Sequence, residues 1–568
     1  KISNYSSSSS VFTYVWSLFY ISKFITMKKI FSLLVAILIL GACQQQKVDL
    51  IVTNANIYKV DDAFTKAEAF AVKDGKFVAV GSTLEITKKY TSDNLVDAEG
   101  LTVTPGLIDA HCHFFRFGLQ LQKVALDGTK SYDEVLQRLS DFKDEKQSTY
   151  ITGRGWDQND WEIKEFPTKE KLDKLFPRTP VAIRRVDGHA LLVNEAALNY
   201  SGLSETKFPK NITGGEFITD KYGKLTGVLI DRAIEYIKIP SESKQEAIKG
   251  LLEAQRINFS YGLTTVDDAG LEKNQIDLID SLQKTGDLKM RVYAMVSATQ
   301  ENLNHYIKKG IYKTDRLNVR SFKVYGDGAL GSRGAAMKKS YSDRDNHFGA
   351  LIYAPERYTE IANQIAKSDY QMNTHAIGDS ANYWVLKVYE EALKNVNAKD
   401  RRWRNEHSQI VDMNDFELFE NVIPSIQPTH ATSDMYWAED RVGKERIKGA
   451  YAFKKLLDTY GMVALGTDYP VEKVNPFLTF YAAVARQDTS GYPEGGYQME
   501  NALSREETLK GMTIWAAYSN FEENEKGSIE VGKFADFVIL DQNIMEIEGS
   551  KIPKTKAKST YINGEKVY

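Results

Sequence analysis

The chain has 568 residues, enough for more than one domain and a sizeable core. Lys plus Arg total 73 against 76 Asp plus Glu, and a net charge of −3 lacks the basic excess that a nucleic-acid partner would favour. Two cysteines, Cys43 and Cys112, exclude a disulfide framework.

Residues 1–26 contain no Met and are set aside as upstream sequence. "MKKIFSLLVAILILGAC" then begins at Met27, with basic Lys28 and Lys29 ahead of an apolar run over residues 30–40. That run is too short to span a bilayer as a helix. "LGAC" resembles a bacterial lipobox. The resemblance implies a signal peptide over residues 27–42 and a lipid on Cys43. It also implies a cell-envelope location on the periplasmic or outer-surface side of a membrane.

From Cys43 onward the pattern is β. "DLIVTNANIY" reads as a strand, and "AFAVKDGKFVAVG" as a hairpin about Asp74-Gly75. The far end mirrors it, with "FADFVILD" and a turn at Asn563-Gly564. Neither end can build a core alone. Residues 43–104 and 521–568 are therefore predicted to form one small β-sandwich. Residues 105–520 alternate short apolar runs with longer helical patterns. Eight candidate strands end near "GLIDAHCH", "GLTTVDDAG", "RVYAMVSA", "FKVYGDG", "QMNTHAIGD", "WRNEHSQ", "PSIQPTH" and "VALGTDYP". This predicts an α/β fold: a (β/α)₈ TIM-type barrel with a long insertion after its first strand, at about residues 114–255.

In such a barrel, catalytic side chains stand at the C-terminal ends of the strands. His111 and His113 end the first strand and share one face, being two residues apart. Lys323 lies near the end of the fourth, His375 ends the fifth, His407 the sixth and Asp468 the eighth. Together they should converge on the mouth, and imidazoles with a carboxylate suit zinc and similar divalent ions. Cys112 alternates to the opposite face. "GDGALG" also carries a G-x-G-x-x-G at Gly326, Gly328 and Gly331, but the polar, Gly-interrupted segment after it lacks the helix a dinucleotide site needs.

"PGLIDAHCH", "THAIGD", "NEHSQ" and "LGTDYP" resemble, in order, the metal-site signatures of the amidohydrolase superfamily. "GRGWD", "DGHALLVN", "KVYGDGALGSRGA" and "SIQPTHA" look like its YtcJ-like branch, amidohydrolase family 3, which includes N-substituted formamide deformylases. The resemblance covers essentially all of the chain after Cys43. It implies one or two divalent ions, zinc being expected. His111, His113 and Asp468 would hold the first, His375 and His407 the second, and Lys323 would bridge them as a carboxylated lysine. The implied activity is hydrolysis of a non-peptide C–N bond by metal-activated hydroxide, with Asp468 as the catalytic base. His189 would enter from the insertion to orient substrate or stabilise the oxyanion. His430, Asp327 and Trp156 are further candidates for substrate contact, with Trp161 and Tyr325 beside them in an apolar pocket. His305 and His347 carry no motif and are expected at the surface. Hydrolysis of an ester or lactone on the same site, or a lipid-anchored binding protein on an inactive scaffold, are the alternatives. A small molecule is the expected substrate, the membrane is reached through Cys43, and a homodimer is compatible with the sequence.

Overall fold

The structure is a computed structural model describing residues 45–568, apart from 187, 213–214, 395 and 397–399. Cys43 and the leader before it lie outside the described residues.

Eight strands form the predicted parallel barrel: β1 (Leu107–Cys112), β2 (Leu263–Leu271), β3 (Arg291–Ser297), β4 (Leu317–Tyr325), β5 (Gln371–Ala376), β6 (Arg404–His407), β7 (Ile423–Ile426) and β8 (Ala464–Leu465). Each pairs in parallel with the next. Among the described residues no ladder joins β8 to β1. Backbone bonds close the ring just beyond β8, from Asp468 N–H to the His111 carbonyl (2.7 Å) and from His113 N–H to the Tyr469 carbonyl (2.8 Å). This seam is tight: a Cβ at Gly466 would stand 2.4 Å from the His111 nitrogen. Only glycine lets the two ends meet there.

The sequence explains the helices between the strands. Ser243 and Glu246 form a capping box at the start of Lys244–Ser260, and Gly286 (φ 83°) ends Lys273–Thr285 in the left-handed region. Lys244–Ser260 packs against Phe114–Gln120 and β2, through a close approach of Gly118 to Gly250. Both helices therefore belong to the barrel wall, and the insertion lies between them, shorter than residues 114–255. It contains a six-stranded sheet with the order Val124–Ala125, Ile151–Trp156, Val181–Arg185, Ala190–Val193, Leu225–Asp231, Gly215–Thr219.

The β-sandwich draws on both chain ends. Phe537–Leu540 pairs antiparallel with Thr102–Pro105 inside a six-stranded sheet, and a four-stranded sheet from residues 50–97 covers it. Phe70 and Phe537, one from each sheet, lie 4.8 Å apart, and Phe537 stacks on Tyr561 at 4.3 Å. Both hairpin tips use the positive-φ pair of a type I′ turn, Asp74-Gly75 (51°, 74°) and Asn563-Gly564 (52°, 72°). A buried ion pair ties this domain to the barrel floor: Arg291, at the start of β3, donates to Asp536 at 2.6 and 3.0 Å.

Candidate metal centre and active site

Alternation on β1 sends Asp109 and His111 into the barrel, with His113 following at the strand end. Ile108 and Ala110 go outward, and so does Cys112, which is buried in the helix-facing core. Asp109 accepts from the Thr467 backbone N–H (3.0 Å) and hydroxyl (2.7 Å), knitting β1 to the turn after β8.

Four of the predicted site residues meet directly. His113 Nε2 lies 3.2 Å from Asp468 Oδ1, and His111 Nε2 lies 3.9 Å from the same oxygen. Lys323 Nζ is 3.1 Å from His111 Nε2. The ring of His407 lies 4.8 Å from that of His111 and 4.5 Å from that of His375, centroid to centroid. His407 (φ 75°) and Asp468 (φ 62°) both hold left-handed backbone without being glycine. Such outliers cost free energy and cluster at functional sites.

The second nitrogens of the histidines show how the site is wired. His111 Nδ1 meets Glu406 Oε2 at 2.5 Å, His113 Nδ1 meets the Ala269 carbonyl at 2.9 Å, and His407 Nδ1 meets Gln427 Oε1 at 2.7 Å. An acceptor at Nδ1 keeps the proton there and leaves the Nε2 lone pair for the cavity. Burial and the nearby lysine push His111 down to about 4, so it stays neutral. His375 is pushed down to about 3 for the same reasons. Among the described residues its Nε2 has no hydrogen-bond partner, and Asp468 Oδ1 has none beyond the His113 contact. Neutral imidazoles, a carboxylate and an orphaned ring nitrogen fit a divalent ion of the zinc type. The ligand atoms of His111, His113 and Asp468 lie within 4.8 Å of one another, as do those of His407, His430 and Asp468.

His430 sits in the helix Pro428–Asp434 after β7, with Nε2 3.2 Å from Asp468 Oδ2 and Nδ1 3.2 Å from Glu472 Oε1. Burial opposes its charge, but the two carboxylates overcome this and raise it to about 10. Both of its ring nitrogens therefore face carboxylates, Asp468 on one side and Glu472 on the other. Burial lowers Lys323 to about 8, toward the neutral amine.

Three proposed substrate contacts are placed differently. Trp156 is fully buried in the core of the insertion, where its indole N–H donates to the Ile183 carbonyl at 2.9 Å; Trp161 shares that core. Asp327 accepts from the backbone N–H groups of Ala336 (2.8 Å), Ile377 (3.0 Å) and Gly378 (2.8 Å), so its carboxylate clamps loops, with Oδ1 3.5 Å from His375 Nε2. His189, expected to enter the site, has a side chain 75 % exposed and bonds Asp231 at 2.7 Å. It borders a surface pocket of about 590 Å³ lined by insertion residues and directly precedes an inner strand of that sheet, Ala190–Val193. Tyr325 does stand at the rim, its ring 5.3 Å from Lys323 Nζ and 5.8 Å from His375. His305 and His347 are half-buried, not exposed.

The glycine pattern after β4 serves close approach, with Gly326 packed on the His375 carbonyl and Gly328 on Gly334. Glu406, Arg404, Gln427 and Glu472 escaped the sequence reading. The adjacency of Glu406 to His407 was the one available signal, and strict strand alternation argued against it.

Fold and site together define a metal-dependent hydrolase built on a barrel. Residues 94–568 match the amidohydrolase family, and the chain belongs to it. It is similar to the putative amidohydrolase YtcJ of Bacillus subtilis, with 28 % identity covering 90 % of this chain and 98 % of that one. It is also similar to the N-substituted formamide deformylase of Arthrobacter pascens, with 25 % identity covering 91 % and 97 %. An uncharacterized metal-dependent hydrolase from Pyrococcus horikoshii superposes with a TM-score of 0.73 at 27 % identity, over 88 % of this chain and 99 % of that chain.

Proposed function

We propose that the protein hydrolyses a non-peptide C–N bond of a small amide-type substrate, with zinc as its ion. The observation that carries this is the set of Nε2 lone pairs turned toward Asp468, whose Oδ1 faces the Nε2 atoms of His113 and His111. His111, His113 and Asp468 would hold one ion and His375 and His407 a second. A divalent ion held there supplies Lewis acidity to a carbonyl oxygen and lowers the pKa of water.

The chain's own residues do the rest. His430 grips Asp468 Oδ2 and so turns Oδ1 to the cavity. Asp468 takes the proton of the attacking water and returns it to the departing nitrogen, which cannot leave as an anion. The similarity to the formamide deformylase supports an amide over an ester. Assays of matched N-formyl, N-acetyl and ester substrates with the metal-loaded protein test this. Ester turnover without amide turnover would overturn it.

Lys323 is proposed as a carbamate bridge. Its buried, partly neutral amine adds CO₂ and releases one proton, and the resulting anion can face two cations. Lys323→Ala should lose at least one equivalent of metal and most activity, part of which acetate should restore. Full metal content and full activity in that variant would make the lysine structural. Anchoring through a lipidated Cys43 is likewise proposed. Labelled fatty acid should enter the wild type and not Cys43→Ser, and equal labelling would overturn it.

A further inference from the structure

Barrel interiors are usually filled by Val, Ile and Leu. This one buries a chain of charges beneath the mouth. Asp267, Arg404 and Glu406 are each fully buried. Asn520 Nδ2 donates to Asp267 Oδ1 at 2.6 Å, and Arg404 Nη1 donates to Asp267 Oδ2 at 2.8 Å. Arg404 Nε lies 2.8 Å from Glu406 Oε1, and Glu406 Oε2 meets His111 Nδ1. Arg404 also donates to the Ser425 hydroxyl (2.9 Å) and the Ala110 carbonyl. Buried ion pairs seldom add net stability over a packed apolar core, so stability alone is a poor reason for this chain.

We propose that Glu406 is a positioning residue that acts through His111: it holds the Nδ1–H tautomer and aims the Nε2 lone pair at the ion. This rests on the metal reading of the site. The geometry is specific. Of the three proposed ligand histidines whose Nδ1 acceptors are given above, His111, His113 and His407, only His111 has a carboxylate. That carboxylate is paired with a guanidinium, Arg404 Nη2 donating to Oε2 at 3.3 Å, which is itself fixed from β2 and Asn520. His111 therefore cannot rotate or change tautomer without breaking a network spanning β1, β2 and β6. An anionic acceptor also makes the imidazole a stronger donor toward a metal.

The test is a zinc titration of the metal-free full chain against a chelating dye, with Glu406→Met, Glu406→Gln and Asp267→Asn beside the wild type. Glu406→Met has no acceptor for Nδ1–H and should weaken zinc binding by about 10- to 100-fold, the scale of outer-shell losses. Glu406→Gln keeps an acceptor oxygen and should retain most of the affinity. Asp267→Asn disturbs the same charge network without touching His111. It should lose stability and weaken zinc binding less than Glu406→Met does. If Glu406→Met fails to fold, the triple variant Asp267→Asn/Arg404→Met/Glu406→Met removes the charges together and should show the same weakening. Wild-type affinity in either Met variant, or an equal loss in Asp267→Asn, would overturn the proposal while leaving the metal reading intact. No zinc uptake by the wild type would overturn both.

Discussion

Two histidine–carboxylate pairs in this molecule look alike on paper. His111 and Glu406 meet at 2.5 Å in the barrel, and His189 and Asp231 meet at 2.7 Å on the insertion. The first pair is wholly buried, whereas His189 is 75 % exposed. Burial changes what the pair does. In the barrel, low dielectric strengthens the contact, holds the imidazole neutral and leaves a lone pair facing Asp468. On the surface, water and salt screen the same contact. A His-containing motif therefore carries chemistry here only where strand ends bring other donors to the same point.

The comparison can be broken at its strong end first. Asp468→Asn removes the carboxylate on which the histidines converge but keeps its shape. It should lower kcat by about 10²- to 10⁴-fold with the fold unchanged by circular dichroism. Turnover near wild type would show that convergence at this point is not the source of activity.

A second test asks whether burial without convergence matters only to stability. Arg291 and Asp536 are as buried as the site, but they join the barrel floor to the β-sandwich. Asp536→Asn strands the guanidinium and should cost about 3–5 kcal/mol in denaturant unfolding, with zinc affinity of the folded protein retained. The pair also sets an acid limb. Burial raises the Asp536 carboxyl, but Arg291 more than offsets this and holds it below its ordinary 3.8. A carboxyl depressed in the folded state stabilises above the unfolded value and loses that contribution as pH falls through the folded one. Melting curves of the wild type should therefore drop more steeply below about pH 4 than those of Asp536→Asn. Parallel curves would remove the pair from the acid response.

The smallest effect belongs to the surface pair. His189→Ala should change stability by about 0.2–1 kcal/mol, and added salt should erase the difference. Kinetics sharpen the comparison further. A rise in KM with unchanged stability would return His189 to substrate contact, and unchanged kinetics would leave it a surface residue of the insertion.

The sequence by itself determined the barrel, because parallel strands buried on both faces read as apolar runs followed by helical periods. It also determined which polar residues could share a face. His111 and His113, two apart at the end of β1, needed only strand alternation to be paired. Alternation equally separated Cys112 from them. Tertiary structure decided the rest, wherever the backbone departs from a regular strand or a contact spans distant elements. Glu406 and His407 are neighbours, and alternation would send one of them outward. The left-handed backbone of His407 turns its ring back, so both serve the same cavity. Trp156 looked like a pocket residue until the insertion closed around its indole and satisfied it with a backbone carbonyl. Asp327 looked like a substrate contact until three backbone N–H groups claimed its carboxylate. Periodicity is local and can be read along the chain. Which acceptor satisfies a buried donor depends on residues far apart in the chain, 295 positions for His111 and Glu406, and only packing brings those together.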